Sequence, residues 1–151
     1  MKNTRQKTNK KGFTIIELIA VMVIIGIILS AVLAAVQGAT NNSRLTSAVA
    51  SVRALQTASV NYYNNNGGSY ASLSVATLAS NGMLPANFSG ANNNPWNGNI
   101  TVAPDANANW FDITFTNVPS TAQTALTTAV SKLTQSAPTY TAATQTWTAA
   151  F

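Results

Sequence analysis

Glu17 is the one ionisable side chain between Phe13 and Val36, in an otherwise apolar run. A lone carboxylate costs on the order of 3 kcal/mol to place in a membrane helix on insertion scales, so it calls for a partner or a task. The run offers no side-chain cation at that depth. A cut after Gly12 would supply one, because it frees an α-amino group on Phe13 one helical turn before Glu17. As an ammonium, that group can pair with the carboxylate of its own chain or of a neighbour, and in a low-dielectric setting such a pairing steers assembly. If the chain were cut there, the spacing would allow charge-guided association.

The rest of the chain is poor in reactive groups. It has no histidine and no cysteine, so the usual transition-metal ligands and the commonest nucleophile and base pairings are missing. Asp105 and Asp112 are the remaining carboxylates, and two acids with no third nearby make a poor calcium cage or acid pair. They read as solvated loop and strand positions. Trp96, Trp110 and Trp147 have the ring faces a glycan platform uses, but aromatics among apolar neighbours more often belong to a core. Asn41, Asn87 and Asn99 each open an Asn-x-Ser/Thr triplet, as chance provides in a chain so rich in asparagine and threonine.

What must position Glu17 is the segment around it. Lys2, Arg5, Lys7, Lys10 and Lys11 form a basic stub that ends at Gly12, and basic flanks hold their end of a hydrophobic segment in the cytoplasm. From Phe13 to Val36 a helix rising about 1.5 Å per residue covers a hydrocarbon core of roughly 30 Å. A secretory signal has a shorter apolar core of about 7–15 residues ending in small residues, and an ordinary anchor has no reason to carry Glu17. The chain of 151 residues has a formal charge of +5, but five of its eight cations lie in the stub. Beyond Gly12, Arg44, Arg53 and Lys132 balance Glu17, Asp105 and Asp112, so the high isoelectric point carries no argument for nucleic-acid binding. A surface with so little charge is prone to association, which suits a building block.

Lys11-Gly12-Phe13-Thr14-Ile15-Ile16-Glu17-Leu18 resembles the processing site of type IV pilins and of the related pseudopilins of type II secretion. The resemblance implies a prepilin peptidase that cuts after Gly12 on the cytoplasmic side, N-methylation of Phe13, and a role for Glu17 in guiding docking into a filament. Tyr70 through Leu84-Pro85, the Asn94-Pro95-Trp96-Asn97-Gly98 turn and Asn117-Val118-Pro119 before a helix are similar to type IVb pilins, including those of conjugative plasmids. The short leader and Phe13 resemble the type IVa pattern instead. Ser120-Thr121-Ala122-Gln123 stands where type IVb members often have a cysteine, so the C-terminal region must hold by packing and strand pairing.

Small residues recur at Gly26, Ser30, Ala34 and Gly38, the spacing that lets membrane helices approach closely. Ala34 stands where many type IVa pilins carry a kinking proline, which leaves Gly26 and Gly38 as the weak points of the helix. Apolar residues then recur at Leu45, Ala48, Val49, Val52, Leu55, Ala58 and Tyr62, one face of an amphipathic helix. One helix from about Thr14 to Tyr63 is predicted, stopped by Asn64-Asn65-Asn66-Gly67-Gly68. A short helix over Leu73 to Ser80, strands over Asn99 to Ala103 and Trp110 to Thr116, a helix from a Ser120/Gln123 capping box to about Leu133, and a tail strand with Trp147, Ala149 and Phe151 on one face complete the reading.

The expected fold is α+β: a long N-terminal helix packed on a small antiparallel sheet head with short helices. Residues 1–12 form a leader, 13–36 a membrane span, 37–63 an amphipathic helix continuing into the head, and 64–151 the head. The expected function is that of a non-enzymatic structural subunit of a type IV pilus, with no cofactor and no metal. Its partners would be prepilin peptidase, the inner-membrane pilus assembly platform, the membrane and identical subunits. The chain would sit in the inner membrane before assembly, N-terminus in the cytoplasm, and in an extracellular pilus afterwards. The alternatives are a minor pilin or a type II secretion pseudopilin, and further off a membrane-anchored binding ectodomain.

Overall fold

The computed structural model describes residues 14–151. Helix α1 runs over Ile15–Asn65 without interruption. No proline breaks it, and the residues after it supply the stop: Gly67 and Gly68 take φ of 67° and 79°, and the Gly68 amide donates to Tyr63 O at 2.9 Å. Positive φ is what glycine adopts without a Cβ penalty, so the turn falls on the glycines while Asn64 and Asn65 stay helical. The predicted stop is therefore right in kind and lies two residues later.

The chain divides into two compact units with the boundary between Ala39 and Thr40. In the first unit the described residues are exposed all the way round the helix, Ile15 to Val36 included. This helix is long and apolar enough to cross a membrane. A Cβ added at Gly26 or Gly38 would meet nothing within 4 Å.

The second unit holds the core. Ala48, Val52, Leu55, Ala58 and Tyr62 of α1 are buried in one cluster with the sheet, with Leu45 and Val49 partly buried against it. Helix α2 spans Val75–Ser80, with Ser74 Oγ accepting from the Thr77 amide at 3.1 Å as its N-cap. Strands β1 (Ile100–Pro104), β2 (Phe111–Phe115), β3 (Thr139–Thr141) and β4 (Thr146–Ala150) form one antiparallel sheet in the order β1-β2-β4-β3. Helix α3, Ser120–Val130, lies between β2 and β3 in the chain and sends Leu126 and Val130 into the core.

Side chains alternate across a strand, and that alternation sorts the sheet into two faces. Ile100, Val102, Phe111, Ile113, Phe115, Trp147 and Ala149 point into the core shared with α1. Thr101, Asp112, Thr114, Thr146 and Thr148 face the other way, where Thr114 and Thr148 hydroxyls meet at 3.1 Å. Phe115 pairs with Trp147 in register, their rings edge to face at 5.9 Å. The Trp147 indole donates to Thr127 Oγ1 on α3 at 3.0 Å, and the Tyr140 hydroxyl donates to Val118 O at 2.9 Å. The C-terminus is secured without a disulfide. Phe151 and Phe111 exchange backbone hydrogen bonds of 2.9 and 3.2 Å, and rings run from Tyr63 through Tyr70 and Phe111 to Phe151 at centroid spacings of 4.7, 5.0 and 5.7 Å.

Three local expectations are corrected. The Ser120/Gln123 capping box does not form; Pro119 precedes the first turn, and its carbonyl accepts from the Gln123 and Ala122 amides at 3.2 and 2.9 Å. A proline φ near −67° already suits a helix start, so no side-chain cap is needed. Helix α3 stops at Val130, where a tight turn from Leu133 N to Val130 O at 2.8 Å takes over. Strand β3 and a 3-10 turn at Ala86–Ser89 were not expected from the sequence.

Candidate processing and assembly site

Thr14 and Glu17 form a reciprocal cap at the start of α1. The Thr14 amide and hydroxyl both donate to Glu17 Oε2 at 2.8 Å, and the Glu17 amide donates back to Thr14 Oγ1 at 3.3 Å. This is the capping-box arrangement, in which a threonine just outside the helix and a glutamate three residues on satisfy donors that a helix start otherwise leaves open. A carboxylate there also faces the positive end of the helix dipole. Sequence reasoning treated Glu17 as lacking a partner in its own segment. The Thr-x-x-Glu spacing ahead of an apolar run was the signal that could have supplied one.

Gly12 and Phe13, the residues expected to carry cleavage and methylation, lie outside the described residues. The arrangement beside them is informative all the same. Helical geometry begins at Ile15, with Thr14 ahead of it and the Leu18 amide donating to Thr14 O at 3.2 Å. Glu17 is thereby held within the first turn, its carboxylate turned toward Thr14.

The other candidates fall elsewhere. Asp112 lies on the outer face of the sheet with the Asp105 carboxyl as a neighbour. Burial first, then the Asp105 charge, pushes the Asp112 carboxyl above its ordinary pKa. Among the described residues there is no group of three or more His, Cys, Asp or Glu side chains placed to hold a metal ion. Trp96 and Trp147 are buried in the core, whereas Trp110 is half-buried and outside it.

One organising residue escaped the sequence reading. Asn94 is buried, its Oδ1 accepts from the amides of Trp96 and Gly98 at 2.8 and 2.9 Å, and its Nδ2 donates to Thr116 O at 2.6 Å. Gly98 lies so close to the Thr116 carbonyl that a Cβ there would collide with it. The Asn-Pro-Trp-Asn-Gly turn is thus a clamp that fixes the start of β1 against the end of β2.

Two family models match the chain in complementary places. Residues 7–33 match the prokaryotic N-terminal methylation motif, which takes in the end of the basic stub, Gly12, Phe13, the Thr14/Glu17 cap and most of the apolar run. Residues 37–149 match Bundlin, which takes in the amphipathic half of α1, both short helices and the whole sheet except its last residue. No curated protein matches the chain closely. A prepilin-type N-terminus joined to an α+β head of this pattern places the chain in the Bundlin family of type IV pilin-like proteins.

Proposed function

We propose that the chain is a structural subunit of a type IV pilus. Prepilin peptidase cuts it after Gly12, Phe13 becomes the N-methylated first residue, and the mature chain waits in the inner membrane with residues 13–36 spanning the bilayer. An inner-membrane assembly platform then draws it into a helical filament of identical subunits outside the cell. The observation that carries this reading is the match to the methylation motif over a helix whose apolar surface no described part of the chain covers. Lipid covers that surface first and neighbouring helices cover it in the polymer. Gly26, Ser30, Ala34 and Gly38 then give those helices room to approach.

The Thr14/Glu17 cap gives the glutamate two successive tasks. Before the cut its carboxylate closes the first turn of the helix. After the cut, the Phe13 ammonium of an incoming or neighbouring chain competes for the same oxygens, and pairing removes the cost of a carboxylate at membrane depth. The protein performs no catalysis in this scheme. Expression in a bacterium with a type IV assembly machinery, followed by electron microscopy of sheared surface material, tests it: filaments containing this chain are expected. A chain that stays in the membrane at full precursor length contradicts the proposal and favours an anchored ectodomain.

A further inference from the structure

The head carries two surface features of matching chemistry on different elements. The first is a groove of about 530 Å³ lined by Leu45, Thr46, Val49, Ala50 and Arg53 of α1 and Ala129 of α3. Its floor is apolar and one cation stands on it. The Arg53 side chain is exposed and makes no hydrogen bond or ion pair within the described chain.

The second is the β1–β2 loop with the start of β2. Asp105, Trp110 and Asp112 lie together there, on the side of the sheet away from α1, since Phe111 and Ile113 point into the shared core. The loop has a fixed form. The Asp105 amide donates to Trp110 O at 3.1 Å, the Trp110 amide to Asn107 O at 2.9 Å, and Asp105 Oδ1 accepts from the Asn107 amide at 2.7 Å. Trp110 is a half-buried indole outside the hydrophobic core, close in the chain to two acids that form no ion pair among the described residues. A large aromatic next to unmatched charge is the composition of an interface anchor.

We infer that the α1/α3 groove of one subunit receives the Asp105–Trp110–Asp112 corner of a second copy of this chain, with Trp110 against Leu45 and Val49 and Arg53 between the two carboxylates. Charge complementarity selects the occupant. The described chain has three carboxylate side chains, and the two in the head are neighbours, while Arg53 is the one charged residue among those that line the groove. Because the two patches differ, the contact is heterologous, head to tail, the kind that can repeat along a filament. Arrival of Arg53 also counters the lift that burial, and after it the Asp105 charge, gives the Asp112 pKa in the isolated head. The inference rests on the filament reading above and adds the surfaces by which heads recognise one another.

The absence of cysteine makes the test clean. Ala50→Cys and Asn109→Cys, placed together in the full chain and expressed with a pilus machinery, put one thiol on the groove and one beside Trp110. Mild oxidation of the assembled filaments should give a ladder of linked subunits on a denaturing gel, and neither single variant should give more than dimers. A charge exchange provides an independent check. Arg53→Glu or Asp112→Arg alone should lower filament yield about tenfold, and the two together should recover most of it, as a direct pair requires. Filaments that assemble normally but give no ladder, or single defects that the double variant does not relieve, overturn this contact and leave the filament reading intact. No filaments from the unaltered chain overturn the filament reading itself.

Discussion

Asn94 and Ser59 are the two buried polar residues of the head, and they stand at opposite ends of hydrogen-bond satisfaction. Asn94 holds three backbone groups at 2.6 to 2.9 Å, whereas Ser59 Oγ, fully buried in α1, has no partner. Leaving buried amides and a carbonyl open is expensive, so Asn94→Ala should lower the stability of a fragment beginning at Thr40 by about 2–3 kcal/mol, read from denaturant melts. Ser59→Ala should raise it by up to about 1 kcal/mol, because it removes an unsatisfied hydroxyl and adds the best helix former. Asp112 sets a pH dependence. Its folded pKa is raised, so the folded head binds the proton more tightly than the unfolded chain, and stability falls as pH climbs from the ordinary aspartate range through the raised value. Asp112→Asn should flatten that slope in thermal melts of the head, with only a small gain at pH 7 for so exposed a group. None of these roles was legible beforehand. Asn94 is one of a run of three asparagines, and Ser59 neighbours Ala58 on a face defined by apolar residues, so type and spacing alone did not single them out.

Elements were legible where a period ran long enough. The steps of three and four from Leu45 to Tyr62 located the buried face of α1, and the alternation of Phe111, Ile113 and Phe115 located β2 with its inward side correct. Short or polar elements were not. Strand β3 is three residues long with only Tyr140 partly buried, and it exists because β4 offers a free edge that its own sequence could not reveal. Start signals also misled when two were present: Pro119 and Ser120 both qualify, and the fixed backbone of proline won. Strand β4 yields the sharpest prediction at this scale. Trp147 has no exposed surface and touches both β2 and α3, so Trp147→Ala should cost the head about 3–5 kcal/mol in a denaturant melt. An unchanged midpoint would place the ring outside the core.

For the molecule as a whole, the apolar surface of the first part of α1 and the sparse charges of the head are what the proposed assembly draws on. The helix before Ala39 leaves its side chains uncovered, while the head closes its core with neither disulfide nor metal site among the described residues. Glu17→Gln separates insertion from assembly: membrane insertion should be unaffected or easier, since the carboxylate penalty goes. Filament yield relative to mature subunit held in the membrane should fall sharply, because the proposed pairing with a Phe13 ammonium loses its carboxylate. A wild-type yield would remove Glu17 from the assembly mechanism. All of this depends on the bond after Gly12 being cut. Intact mass and N-terminal fragment spectra of surface-sheared filaments measure that event directly. The expected result is a chain that begins at Phe13 with one methyl group on its α-amine; filaments built from chains that still carry Met1 to Gly12 would contradict the account.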